Sequence, residues 1–375
     1  MLPIILLMLL LVVLISIYLY CYIKRIFVTL KIDVNNKKVK YIIIAISVII
    51  AVLCSNVFSF GAIIILHVVG VALVVNLTDF IIKHIATKKY EAGFKVWKFI
   101  YGIGVIPVVC SAILIIIGYI NINNVVETKY TIYTEKSIRE EGYRVALLAD
   151  VHYGVSLDYN ETQKVCDEIS SKNIDIVVLC GDIVDDNTSK EEMEPFFEIV
   201  SSIKSKYGIF YVYGNHDRQL YRSVRSYTEN ELKNVIEENG IIILKDEIYQ
   251  VNDDLIIAGR EDAAFGNVAG RKTIGELLEG VDNKKFILTL DHQPKQYKEN
   301  SMAGTDLLLS GHTHGGQIWP ANILFEIVKF DDAVYGYTKI DDYTQAIVTS
   351  GLAGWGFPVK TASPAEYVII DIKPE

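Results

Sequence analysis

The chain has seven histidines, and the five beyond residue 100 (His152, His216, His292, His312 and His314) each follow a short apolar run. The run 143–149 leads into Asp150-Val151-His152, and 174–180 leads into Gly181-Asp182-Ile183-Val184-Asp185. The run 208–214 ends in Gly214-Asn215-His216-Asp217. Later, 286–290 gives Asp291-His292, and 306–309 gives Gly311-His312-Thr313-His314-Gly315-Gly316. Imidazole mixed with carboxylate suits divalent ions such as Mn²⁺, Fe²⁺ and Zn²⁺. Two such ions, roughly 3.5–4 Å apart, need an anionic bridge that one carboxylate supplies. A phosphate ester repels hydroxide through its negative oxygens; metal ions neutralise them and acidify a bound water. A lone Asp-x-His is a weak signal, and Asn, Gly and Asp are ordinary turn residues. The ordered set of five is specific, and its flanking glycines let backbone and substrate approach the donors closely.

These loops need elements that bring them together. Helical stretches near 160–171, 190–205 and 229–239 separate the apolar runs, and further short runs stand at 241–244 and 255–258. Such runs read as strands buried between layers. Ligand sites in open α/β sheets form beyond the carboxyl ends of strands, so five loops scattered along the sequence can converge there. The tail runs 334–340, 343–349 and 366–372 read as neighbouring strands with short connections. The expected fold is an α/β sandwich of mixed sheets flanked by helices, over 143–375.

The series DxH, GDxxD, GNHD, H and GHTH resembles the calcineurin-like metallophosphoesterase superfamily, most of all its bacterial membrane-associated branch. The resemblance covers roughly 143–372. It implies that Asp150, His152 and His314 hold one divalent metal (Mn, Zn or Fe), that Asn215, His292 and His312 hold a second, and that Asp182 bridges them. It also implies His216 as general acid with Asp185 orienting it, and in-line attack by a metal-bridging hydroxide. Asp217 stands where many relatives carry Glu, and Asp186 where the protein phosphatases carry Arg, which weakens a protein-phosphatase reading. Arg218 and Arg260 lie in loops near the expected site as candidate phosphate-binding groups; the plain alternative for each is a surface arginine. The Gly/aromatic loop 351–358 either shapes the pocket or is a turn packed by Trp355.

The rest of the chain differs in character. Residues 1–126 hold 11 Lys/Arg against 3 Asp/Glu, a net +8, and 127–375 hold 25 against 42, a net −17. The acidic half argues against nucleic acid as its partner. Uncharged runs at 2–23, 41–78 and 99–126 predict four membrane spans, since the 38-residue run is too long for one crossing of a ~30 Å layer. Ser55, Asn56, Ser59 and Gly61 offer its turn, giving helices near 41–56 and 60–82. Pro107 is tolerable inside such a bundle. Residues 127–142 read as a connector, so the expected domains are 1–126, 127–142 and 143–375. Basic loops at 24–40 and 83–98, including Lys88 and Lys89, against only Lys129 and Lys136 after the last run, predict both termini outside the cytoplasm. The first run has its charges after it rather than before, which argues against a cleavable signal peptide. His67 and Asn76 read as packing groups within the third span, and Asp79 as reaching the head groups. The five cysteines lie in apolar runs or singly and make no disulfide framework.

The chain thus reads as a membrane-anchored, dinuclear metal-dependent phosphoesterase acting on a phosphate ester or pyrophosphate at the outer membrane face, with lipid-linked and envelope-derived compounds as the candidate substrates. One alternative is a metal-binding sensor or scaffold that kept the fold without catalysis. Another is an activity of the spans themselves, which their lack of ionisable residues opposes.

Overall fold

An uncharged apolar segment has only its backbone to satisfy, and a helix does so internally. Among the described residues up to 122 the elements are accordingly all helices: α1 (Leu2–Thr29), α2 (Lys37–Leu53), α3 (Phe60–Ile85), α4 (Glu91–Ile103) and α5 (Val105–Ile122). The computed structural model describes residues 2–54, 56, 59–85, 91–154, 157–265 and 270–375. Ser55 of the expected turn, and Lys88 and Lys89 of the second basic loop, lie outside them. The chain divides into two compact units, Met1–Ile117 and Gly118–Glu375.

Among the described residues three helices, not the expected four, are long and apolar enough to cross a membrane: Leu9–Thr29, Phe60–His84 and Val105–Ile122. The missing one is α2. It has 17 residues and opens with Lys37, Lys38 and Lys40, and at ~1.5 Å per residue it falls short of a ~30 Å layer. The run 99–126 is not one helix either, because Gly104 takes a φ of +66° between α4 and α5. Within the first unit, Asn76 accepts from Arg25 at 2.9 Å and from Tyr101 at 3.1 Å and donates to Tyr18 at 3.1 Å. His67 is buried and bonds the Ile63 carbonyl. Asp79 does not reach outward: it is buried, accepts from Trp97 and pairs with Lys83.

The second unit holds two six-stranded sheets. The first orders β1 (Val126–Thr134), β12 (Glu366–Pro374), β2 (Tyr143–Leu148), β3 (Ile176–Cys180), β4 (Ile209–Val212) and β5 (Ile242–Ile243). The second orders β10 (Gly336–Lys339), β11 (Gln345–Val348), β9 (Leu307–Ser310), β8 (Phe286–Leu290), β7 (Leu255–Gly259) and β6 (Glu247–Gln250). Strands β2 to β5 run parallel, as do β7, β8, β9 and β11. Alternate side chains of the two inner faces, among them Val145, Val178, Phe210, Ile257, Leu288 and Leu309, form one buried core. The outer face of the first sheet is covered by α6 (Tyr159–Ser170), α7 (Lys190–Ser201) and α8 (Glu229–Glu238) through Ile169, Phe196, Phe197 and Ile236. The α/β sandwich of mixed sheets with flanking helices is therefore as the sequence predicts.

Two local expectations differ. The segment 127–142 is not merely a connector, because β1 pairs in parallel along all of β12, from Val126 beside Glu366 to Thr134 beside Pro374. The second unit accordingly begins at Gly118, within α5, rather than after it. The run 366–372 does not neighbour 343–349 either: the loop after β11 carries the chain to the other sheet, where β12 pairs with β2.

Candidate metal centre and active site

Parallel strands point their carboxyl ends to one edge, and the loops leaving β2, β3, β4, β8, β9 and β11 gather there. The two sheets are tied directly at this edge: the His312 amide donates to both oxygens of Asp150, at 3.0 and 2.9 Å. Asp150, His152, Asp182, His312 and His314 all have φ between +41° and +72°. Non-glycine residues adopt this region at a cost, and its clustering marks loops shaped for the side chains they aim. At Gly311 the approach is so close that a Cβ would lie 2.4 Å from Asp150 Oδ2 and 2.7 Å from Ala149 Cβ.

The side chains form two groups, Asp150 with His152 and His314, and Asp182 with His292 and His312, the donor atoms of each within 4.8 Å of one another. Asp182 Oδ2 lies between them, 3.1 Å from His292 Nε2 and 3.8 Å from His152 Nε2. Three rings have their far nitrogen committed. His152 Nδ1 donates to Asp185 at 2.9 Å, His292 Nδ1 to the Cys180 carbonyl at 2.8 Å, and His314 Nδ1 to the Ala353 carbonyl at 3.4 Å. A neutral ring that donates from Nδ1 presents a lone pair at Nε2. His152 and His314 therefore point lone pairs at each other across 3.3 Å, beside the Asp150 carboxylate. Asn215 Oδ1 is buried without a hydrogen-bond partner, and His292 Nε2 faces the Asp182 carboxylate at 3.1 Å. An acceptor-only convergence of this kind is relieved by cations, and the donors fit divalent ions.

The titration of these groups follows the same crowding. Burial raises the Asp150 carboxyl to about 6. Asp182 is held well below the carboxylate range, since His292 and other histidines outweigh the opposing effect of burial. His292 is pushed well above the imidazole range, as Asp182 and Asp150 outweigh burial. Burial, then repulsion from His292, holds His312 down at about 3.

His216 stands beside these groups. Its amide donates to Asp182 Oδ1 at 2.8 Å, and its ring lies 5.1 Å from Tyr221 and 5.5 Å from Trp355. Its Nδ1 bonds Asp186, not the expected Asp185, which is taken up by His152 and by Asn187. The turn at Asp185 aims consecutive carboxylates at different rings, a direction no spacing encodes. Burial alone would lower the His216 imidazole, but Asp186, Asp182 and Asp185 raise it to about 9.

The two arginines, expected as surface or phosphate-binding groups, are each buried beside a carboxylate. Arg218 is buried, donates from Nη1 to both oxygens of Glu261 at 3.0 Å, and is flanked by the rings of Tyr213 and Phe265. Arg260 is buried against Asp291, Gln296 and the Lys272 carbonyl. Buried guanidinium groups need buried acceptors, and Glu261 and Asp291 supply them. Asp217 is structural as well, accepting from the amides of Gly214, Asp182, Ile183 and Val184.

Sequence reasoning misses three residues. Asp186 was legible only as a departure from a motif. Gln317, directly after the glycine pair, binds the Trp355 amide at 2.9 Å and the Val359 carbonyl at 3.2 Å, fixing the loop 351–358 over the site. Lys360 is fully buried and donates to the carbonyls of Ser350, Gly351 and Ala353, the last being the acceptor for His314. Burial pushes the Lys360 amine down to about 7 against the pull of Asp150 and Glu366. A lone lysine in a polar loop carries no sequence signal.

Two mixed sheets with paired His/Asp donor groups at their shared edge define a metal-dependent phosphoesterase domain. Comparison with known proteins agrees. A family profile described as calcineurin-like phosphoesterase matches residues 143–316. A metallophosphoesterase of Aquifex aeolicus is 30% identical over 249 residues, covering 65% of this chain and 90% of that protein. One from Helicobacter pylori strain J99 is 31% identical over 247 residues, covering 65% of this chain and 63% of that protein. A transmembrane protein with metallophosphoesterase domain from Danio rerio is 29% identical over 244 residues, covering 62% of this chain and 53% of that protein. The chain belongs to the calcineurin-like phosphoesterase family.

Gly311→Ala tests the close approach at Asp150. The added methyl must displace that carboxylate, so metal affinity should weaken about 10–100-fold. Metal titration, with a thermal melt to confirm folding, reads this; unchanged affinity would show that the packing at Gly311 does not set the Asp150 position.

Proposed function

We propose that the protein is a membrane-anchored dinuclear phosphoesterase that hydrolyses a phosphate ester or pyrophosphate bond outside the cytoplasm. The observation carrying it is the convergence of bare imidazole nitrogens and carboxylates on two adjoining positions. Asp150, His152 and His314 would hold one divalent ion (Mn, Zn or Fe) and Asn215, His292 and His312 the other, with Asp182 shared. Bound there, the two ions would neutralise the ester oxygens and activate a water for in-line attack. The chain's own residues do the rest. Asp185, Cys180 and Ala353 fix the tautomers of three ligand rings. His216, protonated through its bond to Asp186, donates a proton from its ring to the leaving-group oxygen. Tyr221 and Trp355 flank that ring and limit the access of water to it.

The outward placement rests on the last span. Lys83, Lys88, Lys89, Lys95 and Lys98 precede it and only Lys129 and Lys136 follow soon after, which puts its first end in the cytoplasm. With α2 also crossing, the basic loop 24–40 shares that cytoplasmic side; without it 24–40 and 83–98 fall on opposite sides, so the outward placement requires α2 to cross. Proximity to lipid supports a lipid-linked or envelope-derived substrate, and the net −17 of residues 127–375 disfavours nucleic acid.

EDTA should abolish hydrolysis of bis-p-nitrophenyl phosphate and Mn²⁺ should restore it. Two bound equivalents without turnover on any ester would instead mark a silent scaffold. His216→Ala should lower kcat about 10²–10⁴-fold with metal content retained, measured by elemental analysis alongside the assay. Parallel loss of metal would remove the acid role. Asp186→Asn removes the charge that raises His216, so the basic limb of the kcat–pH profile should move to lower pH. Bound cations lower the limb in both proteins alike, so the direction of the difference is the readout. A periplasmic-active reporter fused after Glu375 should be active; activity of a cytoplasm-only reporter would reverse the topology.

A further inference from the structure

The helix Ala321–Val328 has no buried residue, and its composition is the reverse of what water favours. Ile323, Leu324, Phe325, Ile327 and Val328, with Phe330 just beyond, are each between 43% and 71% exposed. Within 321–330 only Glu326 and Lys329 are charged. Six large apolar side chains on one ten-residue segment form a contiguous patch of the kind that marks a binding surface.

Its position indicates what covers it. The helix is rooted on the ligand loop, where a Cβ on Gly316 would lie 2.3 Å from Asn322 Cβ. The turn before it is tied to the loop 354–365: the amides of Thr361 and Ala362 donate to the Gln317 carbonyl, and the Trp319 amide donates to Thr361 Oγ1. That same loop receives the end of α5. The Lys360 amide donates to the Gly118 carbonyl at 2.9 Å, Asn121 Nδ2 donates to the Lys360 carbonyl at 3.0 Å, and Ile122 is buried against Gly354. Residues 118–122 end a helix long and apolar enough to cross a membrane, and Tyr119 and Ile120 beside them are also exposed. One loop therefore holds both the segment leaving the bilayer and the root of the apolar helix.

We infer that the segment 321–330 docks in the plane of the lipid bilayer, with Ile323, Leu324, Ile327, Val328 and Phe330 in the acyl boundary and Lys329 toward the head groups. Short apolar helices lie in this way at membrane interfaces, and Tyr119 suits the same depth. Because the helix is rooted on the loop of His312 and His314, docking sets the metal centre at head-group level. The inference rests on the reading of the chain as a membrane-anchored phosphoesterase and gives the site a substrate class, a phosphate ester carried on a lipid.

The test uses the full chain in nanodiscs of phosphatidylethanolamine and phosphatidylglycerol. With p-benzoylphenylalanine at Ile327, irradiation should yield a phospholipid adduct, and the same group at Lys233 on α8 should not. An unadducted Ile327 position, or a crosslink to a second copy of the chain, would overturn the proposal. In a second variant the photoprobe stands at Phe330 and the helix carries Leu324→Asp and Ile327→Asp, which disturb no buried contact. Its adduct should fall several-fold, and an undiminished yield would count against docking. Turnover of bis-p-nitrophenyl phosphate is followed in parallel. An adduct without turnover leaves docking intact and sinks the phosphoesterase reading; turnover without an adduct does the reverse.

Discussion

Everything at the sheet edge depends on one electrostatic problem: several lone-pair donors and two carboxylates are packed together with their protons assigned elsewhere. The Nδ1 protons of His152, His292 and His314 are committed to Asp185, Cys180 and Ala353, so the nitrogens facing inward carry none in the neutral rings. Such a cluster is unfavourable by itself and is stabilised by cations. Left without them, the carboxylates raise His292 above its ordinary range, as a proton takes the place of a positive charge.

The surrounding structure serves to hold that arrangement. Asp217 gathers four backbone amides from the loops after β3 and β4, which fixes Asp182 between the two donor groups. Lys360 gathers three carbonyls of the loop after β11 and so sets the acceptor for His314. Arg218 and Arg260 pair with Glu261 and Asp291, so the buried acids next to the site do not add to its negative charge. These buried ion pairs add little net stability by themselves, but removal of either partner would leave an uncompensated charge beside the ligands.

The boundary between apolar and globular parts is also physical rather than compositional. The last residues of α5 pack on the loop 360–365, and β1 then pairs with β12 along its whole length. The second unit therefore begins in hydrogen-bonded structure on both sides of residue 123.

Local pattern was enough to make the donor residues legible. His152, His292, His312 and His314, with Asp150 and Asp182, follow apolar runs in a fixed order, and parallel strands leave one edge for the loops that follow them. The sandwich itself was readable for the same reason, since strand and helix periods are written in neighbouring residues. What local pattern does not carry is the direction of side chains after a turn and the partners they meet from other elements. Asp185 and Asp186 are adjacent, yet one meets His152 and the other His216. Arg218 and Arg260 read as surface groups or phosphate ligands until Glu261 and Asp291 close on them from loops far along the chain. The pairing of β1 with β12, some 240 residues apart, and the burial of Lys360 are likewise products of packing. Residue types and spacing settled which atoms are available for chemistry; tertiary contacts decided which of them face one another.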